Sequence, residues 1–90
     1  MKLNWDNKKA ASNLRRHGVS FEEAGTVFGD PMALTFDDPD HSIGERRLLT
    51  FGVTRTTKFV IVCHTEEAGV TRIISARQMN KRERKIYEEG

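Results

Sequence analysis

Lys58-Phe-Val-Ile-Val-Cys-His64 and, after a short turn, Arg72-Ile-Ile-Ser-Ala-Arg77 decide how this chain is read. Residues 59–63 form an unbroken, β-branched apolar run of strand length, which suits a central strand covered on both faces. Glu66-Glu-Ala-Gly69 reverses the chain, and a second β-branched segment returns carrying an arginine at each end. Arginine on a hydrophobic strand needs a reason. Either it pairs with a carboxylate, or it waits for an anionic ligand.

Upstream, Glu45 to Val53 reads as another strand, with Arg47, Leu49, Phe51 and Val53 on one side and Arg46, Leu48 and Thr50 on the other. Short turns join the segments from 45 to 77, so an antiparallel meander is expected. Met32 to Phe36 reads as a further strand, and Asp37 to Gly44 as a polar loop. Lys2 to Trp5 reads as a short opening strand, with the faces of Leu3 and Trp5 left open.

Helices flank this sheet. Asp6 is a good N-cap for a helix over about residues 7–16, where Ala10 and Leu14 form a narrow apolar stripe; Gly18 is the stop. Ser20-Phe-Glu-Glu23 is a capping box that starts a second helix, with Phe21, Ala24, Val27 and Phe28 on one face and Gly29, Asp30 and Pro31 at its end. A last helix falls between 78 and 88. There Asn80 and Glu83 repeat the capping-box pattern, and Glu83 sits among Met79, Ile86 and Tyr87, where an unpaired carboxylate would be costly. The expectation is one α+β domain over residues 1–90, with two N-terminal helices on a mainly antiparallel four- to five-stranded sheet and a C-terminal helix.

Charge is unevenly spread. Residues 1–17 carry five cations and one acid, 18–45 seven acids and no cation, 46–65 four cations and no acid. The net charge of only +2 makes this weaker evidence for nucleic-acid binding than a uniformly basic chain would be. No stretch reaches the length of a membrane span and no signal peptide opens the chain. The single cysteine, Cys63, reads as a small core residue, in keeping with a reducing cytoplasm.

Familiar catalytic motifs are missing: no phosphate-binding glycine loop, no paired cysteines, no HExxH, no nucleophile elbow. Asp37, Asp38, Asp40 and His41 could face a hard cation, but Pro39 interrupts them and a solvated turn is the plainer reading. His17 suits a helix C-terminus. His41 and His64 are candidates for proton transfer, against the plainer role of satisfied structural groups. The arginines are the stronger constellation. Arg46, Arg47, Arg72, Arg77 and Arg84 either pair with Glu45, Glu83 and the acidic block, or bind phosphate through the guanidinium fork. Strict alternation puts Arg72 with Ile74 and Ala76, and Arg77 on the other face with Ile73 and Ser75.

Trp5-Asp6, Asn13, His17-Gly-Val-Ser-Phe-Glu-Glu-Ala24, Phe28-Gly-Asp30, Glu45-Arg46, Gly52, Arg72-Ile-Ile-Ser-Ala-Arg77 and Glu83-Arg84 with Tyr87 resemble the BrnT family of toxins, from about residue 3 to 88. The resemblance implies a RelE-like fold and metal-independent RNA cleavage that arrests growth. It also implies a cytoplasmic hetero-oligomer with a BrnA-type antitoxin, which binds operator DNA only through the antitoxin and represses its own operon. No cofactor is implied. The matching positions Glu45, Arg46, Arg72, Arg77, Glu83 and Tyr87, with His64 added from its place by the central strand, are the candidate site residues. Of these, Arg72 is the expected phosphate ligand, and Arg77 is the expected structural partner of Glu83. The alternative is a non-catalytic module that binds a protein or DNA partner.

Overall fold

The structure, a computed structural model, describes residues 1–40 and 44–90. In chain order these form β1 (Lys2–Trp5), α1 (Asn7–His17), α2 (Phe21–Gly25) running into a 3₁₀ turn (Thr26–Gly29), β2 (Leu34–Asp37), β3 (Leu48–Val53), β4 (Phe59–Glu67), β5 (Val70–Gln78) and α3 (Lys81–Glu89). The strands make one sheet in the order β1-β5-β4-β3-β2. The meander β2 to β5 is antiparallel, and β1 adds to β5 in parallel. The apolar run at 59–63 is therefore central, as its composition requires, and pairing extends it to Glu67.

One face of the sheet carries the core. Val60 and Val62 of β4 and Ile73 and Ala76 of β5 pack under Val19, Phe21, Ala24 and Val27. Trp5 stacks edge-on against Phe21 at 6.0 Å, so β1 points its aromatic residue toward the helices. Gly52 lets the 3₁₀ turn lie close on β3: a Cβ there would meet the Val27 Cβ at 2.9 Å. The helical pattern over 20–29 thus splits, with α-helix only to Gly25, because Val27 must reach down onto the sheet.

Two further expectations change. Leu14 is 50% exposed, and the inward position of α1 is taken instead by Asn13. Asn13 donates to the carbonyls of Val19 (3.0 Å) and Ala76 (2.8 Å) and accepts from the Ala76 amide (3.0 Å). A polar side chain is preferred there because it completes the edge of β5 where β1 has ended. The capping box at Ser20 is half made. Ser20 accepts the Glu23 amide at 3.0 Å, but the Glu23 carboxylate turns away to Thr56 and Lys58.

α3 begins at Asn80 with a complete capping box. It docks on the other face of the sheet, at the Phe59 end. The Phe59 ring lies 5.7 Å from that of Tyr87 and 3.8 Å beneath the Arg84 guanidinium.

Candidate active site

The face of the sheet turned away from α1 and α2 is set by register. Arg72 pairs with Thr65 and Arg77 with Ile61. These β4 positions are four apart, so both arginines project from one face. The alternation that separated them fails at a bulge. The register slips between Cys63 and His64, leaving Ile74 unpaired and returning Ala76 to the core beside Ile73. Ser75, opposite Cys63, shares the face with the two arginines.

At the β4–β5 turn end of this face, Arg72 and Glu45 line one open cleft of about 340 Å³ with Asn4, Thr65, Glu67, Ala68 and Val70. β1 supplies Asn4, which pairs with Arg72 and accepts its Nη1 at 3.2 Å. The amides of Lys8 and Lys9, and then the charges of Lys9 and Arg72, hold the Asp6 carboxyl below its ordinary value, so Arg72 also lies within electrostatic reach of Asp6. Glu45 arrives from the loop before β3 and lies 3.5 Å from the Arg47 Nε. Cys63, on the same sheet face as Thr65, is 9% exposed, and burial first, then Asp38, pushes its thiol up. The thiol stays protonated and inert. The cleft therefore combines an exposed carboxylate and an exposed guanidinium, with the Arg47 guanidinium beside the carboxylate. That set can bind a phosphodiester and accept a proton.

Glu45, Arg46 and Arg47 do not open β3, whose pairing starts at Leu48↔His64. Gly44, at φ 85, steers the chain into that approach. Arg46 is drawn outward to Asp37 at 2.8 Å, and this carboxylate raises its pKa. Arg46 stands outside the cleft.

Three other candidates are engaged elsewhere. Arg77 gives Nη1 and Nη2 to the two oxygens of Glu83, both at 2.8 Å, and Glu83 also takes the Asn80 amide. The Arg77 guanidinium holds the Glu83 carboxyl below its ordinary range. The carboxylate in the α3 stripe is thus paired, as its position demands. Tyr87 donates to Asp30 Oδ2 at 2.6 Å, and burial with that bond pushes its hydroxyl up to about 12. It ties α3 to the 3₁₀ turn.

His64 points to the helix side of the sheet, against Phe28 at 4.9 Å, and is 2% exposed. Its Nδ1 meets Glu66 at 2.9 Å and its Nε2 the Thr50 hydroxyl at 2.7 Å. Burial lowers its pKa despite Glu66. It is a core group with no access to the arginine face. His41, the other histidine candidate, lies outside the described residues.

Asn4 was not among the residues the sequence singled out, and Arg47, weighed there with the other arginines, was not among the candidate site residues. Asn4 carried no signal, since only the parallel pairing of β1 with β5 brings it to Arg72. Arg47 had one: it shares the side of Leu49 and Phe51, the side that turned out to bear Arg72.

Over residues 5–83 the chain matches the family described as ribonuclease toxin, BrnT, of type II toxin–antitoxin systems. Among solved structures, the ribonuclease toxin BrnT of Brucella abortus superposes with a TM-score of 0.69 at 21% identity, covering 90% of this chain and 99% of that one. No curated protein matches in sequence.

Proposed function

The chain belongs to the BrnT family of ribonuclease toxins of type II toxin–antitoxin systems, and from that premise we propose that its cleft cuts RNA endonucleolytically without a metal. A ribonuclease toxin of a type II system has an antitoxin as its partner. Here a BrnA-type antitoxin holds the toxin in a hetero-oligomer in the cytoplasm, contacts operator DNA for both, and thereby represses their operon. Release of the toxin arrests growth through loss of RNA.

The observation that carries the reading is the shared cleft of Glu45 and Arg72, with Arg47 3.5 Å from Glu45. The Glu45 carboxylate takes the 2′-hydroxyl proton. The freed oxygen attacks phosphorus, and the bond to the 5′-oxygen breaks. That oxygen leaves with a proton from the water of the open cleft. The products are a 2′,3′-cyclic phosphate and a 5′-hydroxyl. Arg72 and Arg47 hold the phosphorane charge that develops between attack and departure. Asn4 is a positioning residue that fixes one arm of Arg72.

Purified toxin, freed of its antitoxin, should cut single-stranded RNA, and E45Q and R72A should each lose on the order of a hundredfold or more in rate. If the wild-type protein leaves RNA intact from pH 5 to 9, the chain is a non-catalytic module that binds a protein or DNA partner.

A further inference from the structure

The open-face cleft is small, and an RNA strand must continue beyond it. α1 lies along the edge of β5 on the way. Between residues 7 and 17 it carries Lys8, Lys9, Arg15, Arg16 and His17 and no acid. None of these cations forms an ion pair among the described residues. Asp6, the acid just before the helix, spends Oδ1 on the amides of Lys8 and Lys9.

Lys9, Ser12, Asn13 and Arg16 stand at i, i+3, i+4 and i+7 and so share one helix face. That face meets a gap in the sheet edge. β1 pairs β5 only as far as Trp5↔Ile73, so the β5 edge is bare from Ile74 until Asn13 engages Ala76. Lys9, Ser12, Arg16 and His17 line a cleft of about 140 Å³ against Ile74 and Ser75. It holds two hydroxyls, an imidazole and the cations of Lys9 and Arg16, but no carboxylate and no large aromatic surface. Those donors suit a phosphodiester and offer no platform for a base. Ser75, at its mouth, is on the same sheet face as Arg72 and Arg77.

We propose that the Lys9–Arg16 face of α1, with the cleft it makes against the bare edge of β5, binds backbone phosphates of an RNA strand and leads that strand onto the Arg72 face. This rests on the reading of the open face as the cleavage site and adds to it a sequence-independent binding track. The end of β1 opens the edge, and the bulge at Ile74 turns Ser75 toward the site.

The test uses full-length toxin and two probes, a long single-stranded RNA and a DNA strand of the same sequence, which lacks the 2′-hydroxyl and cannot be cut. The K9A/R16A variant should bind the DNA strand on the order of tenfold or more weakly, with a slope of log affinity against log salt shallower by about 1.4 for two lost phosphate contacts. Its KM for long RNA should rise by more than its kcat falls. S12E, which adds a carboxylate and removes no cation, should weaken binding likewise. Circular dichroism of both variants checks that α1 persists.

Unchanged binding and salt slope in both folded variants overturns the track. So does a variant whose only defect is weaker capture by the antitoxin, which would make the groove a protein-docking surface. If wild-type protein cuts no RNA, the cleavage reading fails, and binding of the DNA strand still judges the track.

Discussion

Arg72 and Arg77 stand on the same face of β5, five residues apart, because Ile74 bulges out of register between them. Their surroundings nonetheless separate their roles. Arg77 is closed on both arms by Glu83, whereas Arg72 has one arm on Asn4 and faces an open cleft. One bulge thus places both guanidinium groups on the arginine face, and α3 withdraws one of them.

R72A tests the open arginine. Arg72 is exposed and bonds the exposed side chain of Asn4, so truncation should change stability by no more than about 0.5 kcal/mol. The melting temperature should stay within about 4 °C of wild type, while RNA cleavage is lost. A variant that melts much lower would make Arg72 a structural residue.

R77A should behave the other way round. It leaves Glu83 in the α3 stripe with only the Asn80 amide. The Arg77 side chain is 47% exposed and that of Glu83 16%, so the cost should be about 1–2 kcal/mol, less than for a fully buried pair. R77A/E83Q, which removes the stranded charge, should recover part of it. Urea melts of the two variants decide: equal midpoints would mean that Glu83 left without Arg77 costs nothing.

The contrast shows what could be read from residue order. The apolar run at 59–63 named the central strand, and the Asn80–Glu83 spacing named the α3 cap, because both depend on neighbours in sequence. The need of Glu83 for a partner followed from its place among Met79, Ile86 and Tyr87. The split of the arginines by face did not survive, because a bulge is set by the pairing of two strands and leaves no mark in either alone. Asn13 and Asn4 were opaque for the same reason. Each does its work on a strand edge 63 or 68 residues away, and composition cannot show which edge is open. That His64 lies on the helix side, away from Arg72, could not be read in advance, because alternation gives a residue's face but not which face the helices will cover.

His64 makes stability pH-dependent. Its pKa is lowered in the fold by burial, so the unfolded chain binds the proton more readily. Its contribution is therefore intact above about 6.5 and is lost as pH falls from there through the folded value. Denaturation midpoints should be level from pH 8 to about 7 and decline below about 6.5. H64Q should flatten that decline. Should the wild-type curve instead rise on acidification through this range, Glu66 outweighs burial and the direction is reversed.

Tyr87 gives the matching prediction at high pH. It is the single tyrosine, so its ionisation can be followed without interference from another. The hydroxyl, pushed up to about 12 by burial and Asp30, should remain protonated where a free tyrosine, near 10, is already half ionised. Because the folded value lies above the unfolded one, this contribution holds below about pH 10 and fades between there and about 12. Y87F deletes the bond to Asp30 and leaves that carboxylate the amides of Val53 and Met32. It should cost about 1.5 kcal/mol. Since Tyr87 is committed to α3 and the 3₁₀ turn, RNA cleavage by Y87F at neutral pH should match wild type per folded molecule. Phenolate absorbance appearing near pH 10 in folded protein would show that the Asp30 bond does not hold. A loss of cleavage in a fully folded Y87F would return Tyr87 to the reacting groups, and the site would then have to extend from the Arg72 cleft across the sheet to α3.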